Sequence, residues 1–559
     1  MTSSASIERN AVETSWRKRF AMGKSNRKNC VVGVAAILMI GFALTGSAET
    51  PQLTRAELLD KIRGAWVGKA YGVALGGPTE FKNMGTIIEG PIEMDEAGLE
   101  KLPRQDDLFV NMVFLQMVAE HGFDTPAEVF AEAFAWAGFG LGHANSQARQ
   151  NILAGVPANM SGHPKYSPHA EDIDFQIEAD FIGLIHPGLP VTAFDMCDRV
   201  GHIMNYGDGF YGGVFVAAMY AAAFVQDDPR EIVASGLKAL PPDSGYAEVI
   251  RDVLLLYGEH PSDWRATWHE LQEKWGHEDR CPWGVTGAHG SLKGGFNISA
   301  SLNGAYIVLG MLYGEGDFDK TVDISTRAGQ DSDCNPSTAA GVLGTMMGFE
   351  ALPEHVKEAI APYMDVKFSH TDYSIETASQ AALDLGIVNV KAHGGKEVDG
   401  VVSIEAQPFE APPGPTEVAF ANLTPTDGFW NTDNRITWEG EWKDLWVKDG
   451  LRASGNAGDY MEVRFPGTAV FVESWVTKDG GILEVTVDGK PMGKRDMYLK
   501  MKDGKRPGWN GQVSAVWLTG LPDGEHTLRV TVTGEKHPDS EGTKIGLGRI
   551  ACYRGRIGE

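Results

Sequence analysis

The sequence predicts an all-α domain followed by a β-sandwich of the jelly-roll kind. Between residues 52 and 390, apolar residues recur with a helical period and are separated by Gly and Pro. A Pro-rich segment follows at 407–415, and beyond it apolar and polar residues alternate. We therefore expect a helical domain at 52–390, a linker at 391–416 and a sandwich at 417–559.

The individual elements follow from the same two periods. Many helical stretches are rich in Ala, Gly and Met, and Pro336 predicts the first position of one further helix that runs to Gly348. Turn pairs at Asp488-Gly489 and Asp523-Gly524 separate the strands, which are expected at 460–465, 483–487 and 527–532. The other helices are expected at Arg55–Tyr71, Leu108–His121, Pro126–Trp136, Gly212–Phe224, Glu248–Tyr257 and Ala300–Tyr313.

Composition excludes several classes of protein. Among 559 residues, 43% are hydrophobic and 22% charged, which is a globular balance and not that of a disordered chain. Acidic residues outnumber basic ones by 75 to 49, and the formal charge of −26 disfavours nucleic acid as a partner. Five cysteines are too few for a disulfide scaffold.

The N-terminal segment, residues 1–48, resembles an export signal. Basic residues from Arg17 to Lys28 precede an apolar run from Cys30 to Leu44, and the small residues Gly46-Ser47-Ala48 follow. The alternative is an uncleaved membrane anchor, for which the run is short. We expect cleavage, a periplasmic or extracellular location, and no stable insertion in a membrane afterwards.

Two acidic clusters stand at expected helix starts. Asp106 and Asp107 follow Gln105 and open one helix, while Asp331 and Asp333 precede another. One carboxylate in each pair is explained by capping of the helix start and by a favourable interaction with the helix dipole. Two clusters in one helical domain also favour a shared site for one or two Mg²⁺, Mn²⁺ or Ca²⁺ ions, since hard cations prefer oxygen ligands.

A third cluster is a helix of small residues that ends in Ala74-Leu75-Gly76-Gly77-Pro78-Thr79-Glu80. The three clusters, in this order, resemble those of the ADP-ribosylglycohydrolase family over residues 52–355. That resemblance implies an all-α fold with a binuclear Mg²⁺ or Mn²⁺ centre in a cleft. It also implies that the four Asp residues are metal ligands. Glu80 would lie at the cleft mouth, as a catalytic carboxylate for proton transfer or as one that gates the substrate.

Three positions depart from the family's pattern. Gln105 and Cys334 stand where Thr is usual, and Val73 stands where Asp is often found. A Gln carbonyl still suits a hard cation, whereas a thiol is a poor ligand for Mg²⁺. One of the two metal positions is therefore expected to be weakened, altered or empty.

The middle of the helical domain resembles an exported, carbohydrate-linked branch of the family. Asp174 and Glu178 lie four residues apart on one helix face, and Asp208 lies in a Gly-rich loop. Glu171 and Asp172 are expected to be solvated. The remaining candidates for substrate contact, besides Asp174, are Gln105, Trp283 and Asn297.

These observations predict an exported, metal-dependent glycoside hydrolase acting on an extracellular glycan or glycoside, by analogy a furanosidic one. Glu80, Glu178 and Asp208 are the candidates for proton transfer. Two alternatives are an ADP-ribosyl hydrolase and a non-catalytic glycan-binding protein with a degenerate metal site. The sandwich resembles galactose-binding-like modules, and its seven tryptophans fit either sugar stacking or an ordinary core.

Overall fold

The computed structural model describes residues 50–276, 280–285, 297–446, 450–502, 507–508 and 513–558. The segment expected to be the export signal, residues 1–48, lies outside this part of the chain. None of the helices within the described ranges combines the length and apolar character needed to cross a membrane.

Residues 55–392 form the helical region. Thr54 and Glu57 begin its first helix with a reciprocal capping box, which satisfies two backbone donors at the helix start. The described helices are α1 (Arg55–Gly76), α2 (Glu96–Lys101), α3 (Asp106–His121), α4 (Ala127–Trp136), α5 (His143–Leu153), α6 (Asp174–Glu178), α7 (Asp180–Leu184), α8 (Pro190–Gly201), α9 (Asp208–Ala223), α10 (Pro229–Lys238), α11 (Gly245–Glu259), α12 (Trp264–Trp275), α13 (Pro282–Val285), α14 (Ala300–Gly314), α15 (Phe318–Arg327), α16 (Cys334–Met347), α17 (Glu354–Ile360) and α18 (Ile375–Ala392).

Helix α16 begins earlier than Pro336 predicts. The side chain of Asp333 accepts a hydrogen bond from the backbone N–H of Cys334, so Asp333 is the N-cap and Pro336 stands at the third helical position. A proline is tolerated there because the first N–H groups of a helix have no partner within it. The expected start at Pro336 was therefore wrong by two residues.

The segment expected to be a linker contains regular structure. Strands β2 (Lys396–Val398) and β3 (Val401–Ser403) lie within it, and β3 pairs with β1 (Gln52–Thr54), which directly precedes α1. Leu53 is opposite Val402 in this pairing. This small sheet attaches the end of the helical region to its beginning.

Residues 420–557 form antiparallel sheets, which confirms the predicted order of an all-α region and a β region. A five-stranded sheet has the order β11-β10-β13-β8-β5, a four-stranded sheet the order β12-β9-β15-β4, and a three-stranded sheet the order β14-β7-β6. The strands are β4 (Phe420–Phe429), β5 (Thr437–Glu439), β6 (Lys443–Trp446), β7 (Leu451–Ser454), β8 (Tyr460–Gly467), β9 (Ala469–Ser474), β10 (Gly481–Val487), β11 (Lys490–Asp496), β12 (Val513–Leu518), β13 (Gly524–Lys536), β14 (Ile545–Leu547) and β15 (Ile550–Ile557).

The sandwich core lies between the five-stranded and four-stranded sheets. Strand β10 alternates buried and half-buried residues along its whole length, as the sequence predicts for a strand with one inward face. Its inward residues join those of the facing sheet, such as Val472 and Ile550, in one apolar cluster. Trp438 and Trp442 pack at the edge of this cluster, so these tryptophans have a structural role.

Strand β9 is buried on both faces, because the outer face of its sheet packs against the helical region. Ala170 of the helical region belongs to one apolar cluster with Phe471, Trp517 and Tyr553 of the sandwich. The indole N–H of Trp517 donates to the carbonyl of Pro164 at 2.8 Å. The helical region and the sandwich therefore share a packed junction.

Candidate metal and catalytic site

Two helices approach so closely that they bring two acidic segments together. Four glycines at intervals of four residues on α1 face the backbone of α16 and of the turn before it. A Cβ atom at Gly72 would lie 2.4 Å from the carbonyl oxygen of Pro336, and one at Gly76 would lie 2.0 Å from that of Ser332. Only glycine permits this approach. It places the turn that carries Glu80 beside the turn that carries Asp331 and Asp333.

Hydrogen bonds hold these two turns in register. The hydroxyls of Thr79 and Ser332 are 2.9 Å apart, and the backbone N–H of Gln330 donates to the carbonyl of Asn83 at 3.1 Å. Gln330 has a positive φ of 57°, and the preceding Gly329 has one of 79°. The turn before α16 is therefore sharply bent, which directs Asp331 and Asp333 toward α1.

The predicted carboxylates meet in one place. Carboxylate oxygens of Glu80, Asp331 and Asp333 lie within 4.8 Å of one another, and Asp107, Asp333 and the thiol of Cys334 form a second group of the same size. Asp106 is adjacent to Asp107 at the start of α3. We refer to Glu80, Asp106, Asp107, Asp331 and Asp333 as the carboxylate centre.

Burial and mutual repulsion disfavour negative charge in this centre. Burial, and then the neighbouring Asp107, raise the pKa of Asp106 to about 6 and that of Asp333 to about 7. The pKa values of Asp331 and Glu80 are raised well above their usual range by burial and by Asp333. Without a cation, the centre would hold protons near neutral pH.

The donor set fits a hard divalent cation. All five residues of the centre offer carboxylate oxygens, which Mg²⁺ and Mn²⁺ prefer. Among the described residues, the Oδ1 atom of Asp331 is buried and has no hydrogen-bond partner. A buried acceptor without a donor is costly, and a cation would satisfy it.

Lys69 is a charged neighbour of the centre that the sequence analysis missed. Its side chain is fully buried in α1, with Nζ 3.0 Å from Asp180 and 3.5 Å from Asp107, and it donates to the carbonyl of Ile177 at 3.1 Å. The available signal was a lysine within a helix of small and apolar residues. Lys69 offsets part of the negative charge beside the centre.

The structure also locates the three departures from the family's pattern. Gln105 is the N-cap of α3, but its side chain makes no capping hydrogen bond. The thiol of Cys334 donates to Asp107 at 3.1 Å, and burial followed by repulsion from Asp107 raises the pKa of that thiol. Val73 is fully buried in the apolar core. Cys334 thus contacts the carboxylate centre, and Val73 does not supply a polar group to it.

Asp174 and Glu178 lie at either end of the short helix α6. Asp174 accepts hydrogen bonds from the backbone N–H groups of Asn145 at 2.9 Å and Ala144 at 3.3 Å, so it caps the start of α5. Burial raises the pKa of Asp174 to about 7. Asn145 also donates to Glu178, whose Oε2 atom is buried without a partner among the described residues.

Glu178 adds a further acid next to the centre. Burial raises its pKa well above the usual range, and the charges of Asp174, Asp106 and Asp107 act in the same direction. It is therefore electrostatically coupled to the carboxylate centre. Of the predicted proton-transfer residues, Glu80 and Glu178 are associated with this centre.

Asp208 belongs to a different cavity, and its predicted place in a loop was wrong. It is the first residue of α9, because Gly207, with a φ of 56°, turns the chain into the helix there. A cavity of about 530 Å³ is lined by Asp208, Glu171, Arg280 and Phe420 among others. Asp208 accepts a hydrogen bond from Ser301 at 3.3 Å.

Glu171 and Asp172 are not solvated as expected. Glu171 pairs with Arg280 at 2.9 Å, and its side chain is only 13% exposed. Asp172 is buried beside His169 at 2.7 Å. The expectation failed because Arg280, distant in sequence, pairs with Glu171, while His169, three residues away, and His143 cover Asp172.

Asn297 and Trp283 are the last two predicted substrate contacts, and the structure describes the side chain of Asn297 only. Asn297 is buried, and its side-chain oxygen accepts a hydrogen bond from the backbone N–H of Ser299 at 2.9 Å. The Asn297 backbone N–H donates to the side chain of Gln330 at 2.9 Å, beside the centre. The side chain of Trp283 lies outside the described part of the chain.

Comparisons with known proteins identify the family of the helical region. A sequence model described as ADP-ribosylglycohydrolase matches residues 54–385, which is more than half of the chain. No curated protein matches the chain. The family match assigns a glycohydrolase-type fold to the helical region. This chain belongs to the ADP-ribosylglycohydrolase family.

Solved structures resemble the chain only at a coarse level. A chain of an "ADP-ribosylglycohydrolase-related protein complex" is 17% identical with a TM-score of 0.41, covering 60% of this chain and 99% of that one. A family two carbohydrate esterase from Cellvibrio japonicus is 15% identical with a TM-score of 0.18, covering 24% and 35%. A CBM36-1 domain of a xylanase from the hindgut metagenome of Trinervitermes trinervoides is 11% identical with a TM-score of 0.17, covering 22% and 95%. Such scores carry no argument about function.

Proposed function

We propose that this protein is an exported, metal-dependent glycoside hydrolase that cleaves a furanosidic bond in an extracellular glycan or glycoside. The observation that carries the proposal is the carboxylate centre, in which acidic residues from three separate segments converge within a domain of a hydrolytic family. Burying a group of this composition costs stability, and carboxylates with pKa values shifted in this way are common at functional sites.

Asp106, Asp107, Asp331 and Asp333 would hold the cation, and Mg²⁺ or Mn²⁺ suits their oxygen atoms. When bound, the cation supplies positive charge that orients sugar hydroxyls and stabilises charge in the transition state. The four carboxylates fix that charge in position. Lys69 limits the number of negative charges left for the cation to balance.

Glu80 is our candidate for the proton donor. Its side chain is partly exposed, so a substrate can reach it, and burial followed by repulsion from Asp333 raises its pKa, which favours the protonated form. Glycoside cleavage requires such an acid to protonate the leaving oxygen. Glu178 is fully buried, so it is not our candidate for contact with the leaving group. Its burial supports a role in holding a proton beside the carboxylate centre.

An apolar wall lies beside the carboxylate centre. Ile173, Ile177 and Ile298 form a buried cluster that includes Cys334, and Phe81 packs against this cluster. Apolar surroundings strengthen electrostatic interactions and exclude water from the reacting atoms. This setting supports a catalytic use of the centre.

Export and sugar recognition are further parts of the proposal. Residues 1–48 have the pattern of an export signal. We propose that the sandwich serves as a galactose-binding-like accessory module. Its packed junction with the helical region would keep it beside the catalytic domain on a glycan.

A second candidate function is the removal of ADP-ribose from a protein or small molecule, which the family match favours. The two functions differ in the group that the cleft must bind. ADP-ribose carries a pyrophosphate, so it requires nearby positive charge. A neutral glycan requires hydrogen-bonding groups and aromatic faces instead.

The test uses purified protein with Mg²⁺ or Mn²⁺ on two panels, aryl furanosides and pyranosides on one side and ADP-ribosylated arginine peptide on the other. We expect turnover on the glycoside panel, and a loss of about 100-fold or more in Asp331→Asn/Asp333→Asn and in Glu80→Gln. Isothermal titration with Mn²⁺ should show lost binding in the double variant only.

The matched control is Asp195→Asn/Asp365→Asn, which removes the same charge from exposed positions. It should keep both activity and metal binding. Turnover confined to ADP-ribosylated peptide would establish the second candidate. Glycan binding without turnover on either panel would show a non-catalytic glycan-binding protein. Full activity in the Asp331→Asn/Asp333→Asn variant would refute the metal role.

A further inference from the structure

A second group of metal-ligating side chains lies outside the carboxylate centre. His143, His169, Asp172 and Cys281 each offer one ligand atom, and these four atoms all lie within 4.8 Å of one another. They come from three segments that span almost 140 residues of sequence, because His169 and Asp172 belong to one turn. We refer to these four residues as the His/Cys cluster.

The distances within the His/Cys cluster approach those of a tetrahedral metal site. His143 Nδ1 is 3.4 Å from Asp172, and Cys281 Sγ is 3.9 Å from His143 Nδ1 and 3.7 Å from His169 Nδ1. Bonds of about 2.0–2.3 Å to tetrahedral Zn²⁺ separate neighbouring ligand atoms by about 3.3–3.6 Å. The shorter contact of 2.7 Å between His169 and Asp172 is an ordinary hydrogen bond that a metal would lengthen.

The chemistry of the donors differs from that of the carboxylate centre. Two imidazoles, one thiol and one carboxylate form a borderline-soft set that selects zinc, whereas a set made only of carboxylates selects Mg²⁺ or Mn²⁺. Three of the four side chains are at most 5% exposed, and that of His143 is 12% exposed. Four protein ligands with so little solvent access correspond to a closed, structural site.

The surrounding contacts place the His/Cys cluster at the junction with the sandwich. The ring of His169 lies edge-on to Phe471 of β9, with 6.3 Å between ring centroids. Arg280, next to Cys281, donates to the carbonyl of Leu423 at 2.8 Å, and the hydroxyl of Tyr553 donates to the carbonyl of Arg280 at 3.0 Å. A metal here would connect the segment at 280–285 and the start of α5 beneath the sandwich.

We propose that His143, His169, Asp172 and Cys281 bind one structural Zn²⁺ ion that braces the junction between the helical region and the sandwich. This site shares no residue with the carboxylate centre, so the zinc proposal does not rest on the proposed glycoside hydrolysis. Zinc binding here contributes to folding stability, since the four ligands converge only in the folded chain.

The experiment measures metal in the purified full chain. Protein dialysed against metal-free buffer with one equivalent of Zn²⁺ is analysed by plasma mass spectrometry, and the affinity is measured by competition with a chromogenic chelator. We expect about one bound zinc per chain. Cys281→Ser should weaken zinc affinity by about 100-fold or more, since the loss even of groups that only support a ligand costs 10–100-fold.

Two thiols elsewhere provide matched controls. Cys552→Ser changes a buried cysteine of the sandwich core, and Cys334→Ser changes the thiol at the carboxylate centre. Both should retain the zinc. In Co²⁺-loaded protein, the near-ultraviolet thiolate-to-cobalt band should be lost in Cys281→Ser and kept in Cys334→Ser. His169→Gln serves as the second variant if Cys281→Ser does not fold by circular dichroism.

Three results would overturn the proposal. The first is the absence of retained zinc in the unmodified protein, which would leave the four residues as a hydrogen-bonded network only. The second is equal zinc affinity in Cys281→Ser and the unmodified protein. The third is a cobalt band that disappears in Cys334→Ser, because that would place the soft metal at the carboxylate centre.

Discussion

At the scale of single residues, buried charges are the costliest features of this molecule. Lys69 is fully buried and contacts Asp107, Asp180 and the carbonyl of Ile177. A buried ion pair contributes little by itself, but removing one partner leaves the other charge buried and uncompensated. Lys69 is therefore a sensitive position that does not touch the expected substrate.

We predict that Lys69→Met lowers the free energy of unfolding by about 3–5 kcal/mol. Urea unfolding followed by circular dichroism measures the change. Lys69→Met/Asp180→Asn should cost less than Lys69→Met alone, because it removes the unpaired carboxylate as well. Lys238→Met, at an exposed position, should stay within about 0.5 kcal/mol of the unmodified protein. A cost below 1 kcal/mol for Lys69→Met would contradict the prediction.

His202 makes stability depend on pH. Burial alone would lower its pKa, but pairing with Asp198 and Glu417 raises the pKa to about 9. A folded-state pKa above the unfolded value of about 6.5 means that the charged form favours the folded state. The contribution is complete below about pH 6.5 and is lost as the pH rises through about 9.

We therefore predict that His202→Gln destabilises the protein more at pH 6 than at pH 9.5. The difference should be about 1–3 kcal/mol, because Asp198 is largely exposed and solvent weakens its share. Loss of the stacking of His202 on Phe210 adds a cost that does not depend on pH. Denaturant unfolding at both pH values separates the ion-pair contribution from the stacking contribution. An equal loss of unfolding free energy at both pH values would exclude the ion-pair contribution.

At the scale of elements, the contact between α1 and α16 determines where the site forms. Gly64, Gly68, Gly72 and Gly76 each face a carbonyl oxygen of α16 or of the turn before it. Backbone packed this closely cannot yield to an added methyl group without a shift of the helix. Such a shift would move the turn that carries Asp331 and Asp333.

We predict that Gly72→Ala lowers the free energy of unfolding by about 1–3 kcal/mol and weakens Mn²⁺ binding. The matched control is Gly258→Ala in α11, where a Cβ atom would meet nothing within 4 Å. That control should gain about 0.5–1 kcal/mol, because alanine favours helix over glycine. Thermal unfolding and Mn²⁺ titration measure both effects, and equal stability of the two variants would contradict the packing argument.

Element by element, periodicity predicted most of the fold correctly. The helices expected at 55–71, 108–121 and 300–313 exist with small changes at their ends. The departures are local, as at Pro336 and Asp208, where a capping side chain or a glycine with positive φ moved a helix start. A helix cap depends on one or two contacts, so a periodic pattern predicts the end of a helix less accurately than it predicts the buried face.

At the scale of the whole molecule, the sandwich and the helical region share buried surface. Trp517 is 5% exposed and lies in the apolar cluster that also contains Ala170. Gln147 of α5 accepts hydrogen bonds from the backbone N–H and the hydroxyl of Ser514, at 3.0 and 2.9 Å. We expect these contacts to couple the unfolding of the two regions.

We predict that Trp517→Ala costs about 3–5 kcal/mol and separates unfolding into two transitions. Differential scanning calorimetry should show one transition in the unmodified protein. Trp442→Ala, at a half-buried position that packs against the apolar cluster of the sandwich, should keep a single transition at a lower midpoint. A single, unshifted transition in Trp517→Ala would show that the junction contributes little.

The sequence by itself determined the order of the two fold classes and the family, along with the acidic residues of the carboxylate centre. These features are local patterns of period, spacing and motif. Only the tertiary structure decided that Glu80 meets Asp333, that Lys69 neutralises part of the centre, and that Asp208 belongs elsewhere. It also assembled His143, His169, Asp172 and Cys281. Contacts between distant segments depend on helix packing and burial, and no local pattern in a single chain records them.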